Sequence, residues 1–155
     1  AEVGAVGVNI EDSIVTKGRH ICDASSMAGL LERVRKILAS RGVDVFLNVR
    51  TDTYLLGVDD KLDETKNRIR LYEKAGADGV FIPCLTDPRE MSEFCSMTSL
   101  PVNVMCMPDL PDFDSVGRAG VKRISMGHFM YERIRRFGVE LIGRISESGT
   151  FSPLF

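Results

Sequence analysis

Five segments of the chain close on residues with chemistry to offer. The first ends Asn9-Ile10-Glu11-Asp12-Ser13, and the second ends Asn48-Val49-Arg50-Thr51-Asp52. The third ends Pro83-Cys84, the fourth runs Pro101-Val102-Asn103-Val104-Met105, and the fifth ends Ser125-Met126-Gly127. Gathered at one rim, these ends assemble acids, an arginine and an amide. Carboxylates there suit a hard cation such as Mg²⁺, which takes few protein oxygens and keeps several waters. An arginine suits a carboxylate or phosphate substrate, because its planar fork binds two oxygens at once. Each residue also has an ordinary reading. Asp12 and Asp52, just past a strand, suit helix caps or turns. Arg50 suits an ion pair with those same acids, and Asn103 suits a turn cap.

The elements that must position these residues alternate between strand and helix. Strands are expected at Val3–Ile10, Val43–Val49, Gly79–Ile82, Pro101–Met105 and Val121–Ser125. They are short, mostly continuous apolar runs, the pattern of strands covered on both faces. Helices are expected near Ser25–Ser40, Asp63–Ala75, Pro88–Met97 and His128–Ser146, with a short turn near Phe113–Arg118. The first helix offers Leu30, Leu31, Val34, Ile37 and Leu38 as its apolar face. The third opens Asp87-Pro88-Arg89-Glu90, an N-cap acid with proline in the first turn. Arg41-Gly42-Val43, Ala75-Gly76-Ala77 and Ala119-Gly120-Val121 repeat one device, a helix closed by a left-handed glycine before the next strand.

Such alternation implies βαβ units. Two architectures fit: part of a (β/α)8 barrel, or a flavodoxin-like doubly wound sheet of five strands. Both place function at the carboxyl ends of the strands. No linker divides the chain, so residues 1–155 read as one domain, with a C-terminal helix and tail from about 128.

Composition narrows the function classes. Twenty Lys+Arg stand against 22 Asp+Glu, a formal net charge of −2, with no basic tract to serve a phosphate backbone. No apolar run approaches the ~20 residues that cross a bilayer. No phosphate-binding glycine motif is present. Cys22, Cys84, Cys95 and Cys106 have no Cys-x-x-Cys spacing and no histidine at ligand spacing. They read as buried free thiols of a reducing compartment, and the expected location is cytoplasmic. His20, in a polar loop, reads as solvated before it reads as an acid or base. Met105, Met107 and Met126 stand at strand ends and suit a pocket wall.

The order of motifs carries a resemblance. Gly4-Ala5-Val6-Gly7-Val8-Asn9-Ile10-Glu11-Asp12-Ser13 resembles a stretch of the isocitrate lyase/phosphoenolpyruvate mutase superfamily. Val45-Phe46-Leu47-Asn48-Val49-Arg50-Thr51-Asp52 is similar to its Asn-x-Arg-Thr-Asp strand. Asn67 to Pro83 is similar to its Arg-x-x-x-Tyr and Ala-Gly-Ala-Asp signature. Leu100–Val104 and Gly120–Gly127 follow in the same order. The resemblance implies the C-terminal part of a TIM-type barrel, about five parallel strands. It also implies a lyase or isomerase using Mg²⁺ on small 2-oxo, carboxylate or phosphonate substrates, breaking or moving a C–C or C–P bond through an enolate-type intermediate. On that basis Glu11 helps hold Mg²⁺. Arg50 binds the substrate and offsets developing charge. Asn103 and Ser13 join Arg50 as substrate contacts. The C-terminal helix packs against a second subunit, giving a homo-oligomer.

Two departures bear on this. The superfamily's Asp-x-Asp pair, which completes the metal site, belongs to earlier strands. The lyases' cysteine-bearing loop is replaced by Thr16-Lys17-Gly18-Arg19-His20-Ile21-Cys22, in which the cysteine follows the histidine. That favours the mutase, phosphonate-hydrolase or oxaloacetate-acting branches over isocitrate lyases. It also leaves open a truncated, catalytically inactive relative or an interaction protein, and leads to the expectation that residues 1–155 alone show little activity.

Overall fold

The structure, a computed structural model, describes residues 4–155. The chain falls into two units, one through Ser125 and one over Met126–Phe155. The first unit opens with β1 (Gly7–Glu11), a hairpin of β2 (Ser13–Val15) and β3 (Arg19–Ile21), and α1 (Ala24–Ser40). Next come β4 (Phe46–Arg50), the short α2 (Thr53–Leu56) and α3 (Lys61–Lys74). The unit ends with β5 (Gly79–Ile82), α4 (Pro88–Met97), β6 (Val102–Met105), α5 (Phe113–Arg118) and β7 (Arg123–Ser125). The N-terminal part of the strand expected at Val3–Ile10 lies outside the described residues.

Local chemistry explains the helix limits. Asp23, Asp87 and Asp112 cap α1, α4 and α5, each accepting a backbone N–H of the first turn at 2.8 Å. Those backbone bonds hold Asp23 and Asp112 below the usual carboxylate range. At the far ends, Gly76 and Gly120 both adopt φ +96°, where a side chain is strained. A Cβ on Gly120 would also meet Cys95 at 2.9 Å.

Five parallel strands form one sheet in the order β1-β4-β5-β6-β7. That order is strictly sequential, so each crossover moves to the next neighbour in the same direction. Right-handed crossovers that never reverse leave the helices between these strands on one side. Side-chain alternation confirms it. Ile10, Val49, Val80, Ile82, Val102 and Val104 pack against Met27 and Leu31 of α1, Ile69 and Tyr72 of α3, Met91 and Phe94 of α4, and Val116 of α5. The alternate residues Asn9, Asn48 and Asn103 take the opposite face, where Asn48 Nδ2 donates to Asn9 Oδ1 at 2.8 Å and to Asn103 Oδ1 at 3.5 Å. A doubly wound sheet reverses its winding and carries helices on both faces. The flavodoxin-like alternative is therefore set aside, and the sheet is an arc of a TIM-type barrel.

Other expectations need correction. The apolar strands are covered by helices on one face only. The buried stripe of α1 is Ala24, Met27 and Leu31, while Leu30 and Ile37 are exposed. The four cysteines are half-buried rather than buried. The hairpin and α2 fall in stretches where no element was expected.

The second unit holds α6 (Phe129–Ser148) and a closing 3-10 turn over Ser152–Leu154. No residue of α6 is buried. Ile134, Phe137, Val139 and Ile142 are each well exposed, as are Phe151 and Phe155 beyond it.

Candidate functional site

Parallel pairing places Glu11 beside Arg50, and Arg50 beside Phe81, at the carboxyl ends of β1, β4 and β5. Alternation then separates two adjacent acids. Glu11 shares the face of Asn9 and stands at the rim. Asp12, one residue on, turns to the helical side and is fully buried. It caps no helix. Its Oδ2 accepts from Arg68 Nη1 at 2.9 Å and from Tyr72 Oη at 2.8 Å, both on α3. Its Oδ1 accepts the backbone N–H of Asp52 at 2.9 Å. Arg68 also donates to Tyr72 Oη, to the Cys22 carbonyl and to Glu64. Burial works against the Arg68 charge, but Tyr72 and Asp12 outweigh it and leave its pKa raised. Burial, reinforced by the Asp12 charge, pushes the Tyr72 phenol far above its ordinary value.

Above this buried anchor lies a ring of charge. Arg50 Nε donates to Asp52 Oδ1 at 2.6 Å, and its Nη1 reaches Glu11 Oε1 at 3.2 Å. From the hairpin, Arg19 Nη1 meets Glu11 Oε2 at 2.6 Å, Asp52 Oδ2 at 2.8 Å and Ser13 Oγ at 2.7 Å. Ser13 in turn donates to Asp52. The Glu11 hydrogen bond raises the Arg19 pKa further. Asp52 occupies the N-cap position of α2 but makes no side-chain cap bond, because its oxygens are taken by the ring. Arg50 also lies over the Phe81 ring, 5.8 Å from its centroid.

Of the expected site residues, the structure brings together Glu11, Ser13 and Arg50. Asn103 stands apart, with Phe81 between its strand position and that of Arg50. It is buried, and its Nδ2 donates to the Val104 and Arg123 carbonyls. Asn103 caps no turn. His20 is exposed on β3, opposite Ile14, outside the ring. Arg19, unremarked in the sequence except as a neighbour of His20, completes the ring. Cys84, at the end of β5, holds φ +64°, a strained setting for a side chain and one that clusters at functional sites. Burial raises its thiol pKa, opposed by the Arg50 charge.

Metal-holding capacity can be tested on the same residues. Among the described residues, no three Asp, Glu, His or Cys side chains come together around a common point. The two rim acids, Glu11 and Asp52, each have both oxygens engaged by arginine. These residues alone do not fit a complete divalent-cation site. Glu11, whose side chain is 39% exposed, is the carboxylate free enough to turn outward. No helix among the described residues is long and apolar enough to cross a membrane.

Comparison with known proteins bears on this arrangement. The model of the phosphoenolpyruvate phosphomutase family matches residues 1–142. An uncharacterised protein of Mycobacterium tuberculosis is 36% identical over 131 residues, covering 84% of this chain and 48% of that protein. An oxaloacetate decarboxylase of Ectopseudomonas mendocina is 31% identical, covering 83% of the chain and 44% of the enzyme. A structure from Burkholderia cenocepacia J2315, provisionally assigned as a phosphonomutase, superposes with a TM-score of 0.84 at 34% identity, covering 92% of this chain and 59% of that one. A phosphonopyruvate hydrolase, in complex with oxalate and Mg²⁺, shares the fold with a TM-score of 0.77 at 21% identity, covering 97% of this chain and 54% of that one. The chain spans about half the length of the relatives it matches.

Proposed function

Because the chain belongs to the phosphoenolpyruvate phosphomutase family, we propose that it supplies the substrate-binding rim of an enzyme that breaks or moves a C–C or C–P bond in a small 2-oxo or carboxylate substrate through an enolate-type intermediate. One observation carries this reading. Arg50 stands at the strand-end rim with its fork held by Asp52 and Glu11, and Asp52 is pinned from below by buried Asp12. Such a guanidinium binds a carboxylate or phosphonate and stabilises negative charge as it develops. Ser13, in the ring, is the further substrate contact this geometry supports; Asn103, buried beyond Phe81 with its amide engaged, would join it only by reorienting. Mg²⁺ would be the cofactor of such an enzyme, and Glu11 is the residue here that would contribute a ligand, directly or through water. When bound, such an ion would stabilise an enolate oxygen by Lewis-acid charge. The chain's own residues bind, orient and neutralise.

A second reading, a non-catalytic relative, is favoured by the same ring. Both rim acids are neutralised by arginine, leaving no complete metal site among the described residues. The reading frame upstream of Ala1 separates the two. An apolar strand followed by Asp-x-Asp supports the enzyme, and its product should turn over oxaloacetate or phosphonopyruvate only with Mg²⁺. Absence of both overturns the enzyme reading.

Self-association is a further expectation. The edges at β1 and β7 have no further strand partner among the described residues, and exposed apolar strand edges invite pairing. Exposed Phe137, Ile142 and Phe151 add apolar surface in the second unit. Burying each such side chain is worth about 1.5–3 kcal/mol, so a few rival the ~5–15 kcal/mol stability of a domain. Residues 1–155 should therefore sediment as an oligomer, and Phe137→Asp with Ile142→Asp should shift it toward monomer. A monodisperse monomer for the unaltered chain would overturn the expectation.

A further inference from the structure

Arg50 is held from below by a chain of contacts that begins on α3. Arg68 and Tyr72, one helical turn apart, are both buried. They meet on one atom, Oδ2 of Asp12, at 2.9 Å and 2.8 Å, and Arg68 Nη1 also donates to Tyr72 Oη at 2.9 Å. A carboxylate is planar, so two donors on one oxygen set its rotation as well as its position. Oδ1 is thereby left facing the Asp52 backbone N–H, which it accepts at 2.9 Å. The Asp52 side chain makes no cap bond to α2 and instead takes Arg50 Nε at 2.6 Å. Asp12 holds the Arg50 backbone too, donating its own N–H to the Arg50 carbonyl at 3.0 Å.

We propose that Tyr72 is a positioning residue: through the Asp12 carboxylate and the Asp52 amide, its hydroxyl sets the direction in which the Arg50 guanidinium stands at the rim. This role rests on the reading of Arg50 above and adds a residue that acts on it through two intermediaries. Arg68 and Tyr72 divide the work. Arg68 is the cation paired with Asp12, and it ties the same node to the Cys22 carbonyl at the foot of the β2–β3 hairpin. Its removal leaves a buried carboxylate without its counter-charge, which is a cost to folding. The Tyr72 hydroxyl carries no charge. Without it Asp12 keeps its cation on Oδ2 but turns more freely about that contact, and Oδ1 loses its fixed aim at the Asp52 amide. A phenol serving stability alone would leave Arg50 where it stands.

The test is a proton–nitrogen correlation spectrum of the arginine side chains in the full chain, in which Arg50→Lys identifies the Arg50 Nε–H signal by its disappearance. Tyr72→Phe deletes one oxygen and leaves Asp12 its Arg68 partner, so the chain should fold, which circular dichroism checks. In this variant the Arg50 Nε–H should exchange with solvent about tenfold faster, the effect of losing roughly one hydrogen bond. Val116→Ala loosens the core under α5, away from the node, and should leave that exchange within about twofold. If Tyr72→Phe does not fold, Arg68→Lys carries the same expectation, because an ammonium keeps a cation for Asp12 but lacks the fork that also serves Tyr72 Oη and the Cys22 carbonyl. Exchange within about twofold in folded Tyr72→Phe, or equal acceleration by Val116→Ala, overturns the positioning role. Accelerated exchange in Tyr72→Phe alone supports it. If Arg50→Lys then leaves turnover unaltered, the reading of Arg50 as the substrate-binding group falls while its positioning by Tyr72 stands.

Discussion

Asp12→Ala is expected to cost about 3–5 kcal/mol of folding stability, the scale of breaking a buried ion pair from one side. The cause is specific. Asp12 is fully buried and receives three donors through its carboxylate, from Arg68, Tyr72 and the Asp52 backbone. Its own backbone N–H donates to the Arg50 carbonyl at 3.0 Å, and its carbonyl accepts from Cys22 at 2.7 Å. Removing the carboxylate strands a guanidinium that is 3% exposed, with partly exposed Glu64 as its remaining acid. Asp12→Asn keeps an acceptor for the Asp52 amide and should cost less. Asp23→Ala, which removes an exposed N-cap, supplies the scale of an ordinary surface loss, about 1 kcal/mol. Urea unfolding of the three variants beside the unaltered chain measures the order. A loss for Asp12→Ala no larger than that for Asp23→Ala would show that the Asp12–Arg68–Tyr72 network is not a stabilising anchor.

The same residue shows what the sequence could and could not disclose. Glu11-Asp12 reads as two acids past a strand, and a cap or turn is their ordinary meaning. Only the pleat sends one to the rim and the other into the core, and only the fold brings Arg68 and Tyr72, 56 and 60 positions away, onto the second. Glycine punctuation fared better, because a left-handed helix terminus is a local event: Gly42, Gly76 and Gly120 all have positive φ. Asp87-Pro88 marked the start of α4 for the same reason. The hairpin escaped notice because Ser13–Val15 and Arg19–Ile21 are too short for a strand period. The Thr16-Lys17-Gly18 turn between them was the available signal, and it would have returned Arg19 to Val15, on the face of Ser13. On α1, hydrophobicity alone favoured Leu30, Leu31 and Ile37; Leu31 does meet the sheet, but with Met27 rather than with Leu30 and Ile37, because the neighbouring strands set the direction of burial. Barrel against doubly wound sheet rests on strand order, which no periodicity encodes.

On the proposed enzyme reading, Arg50→Lys should lower kcat/KM by about 100- to 1,000-fold, the scale of losing one preorganised charge-stabilising group. Lysine preserves the charge but offers a single ammonium where the guanidinium spans two anions through Nε and Nη1. It cannot hold Asp52 and keep a second donor aimed at substrate. It also gives up the guanidinium's position over the Phe81 ring. Asp12, Arg68 and Tyr72 remain in place beneath, so stability should change by less than about 1 kcal/mol. That contrast separates a chemical role from a structural one. On that reading the fork binds the substrate's acidic group in both ground and transition states, so KM should rise. Charge that develops toward the enolate should make kcat fall as well. Steady-state kinetics with a folded Arg50→Lys protein decides it, and turnover within about threefold of the unaltered enzyme would remove Arg50 from the reacting centre.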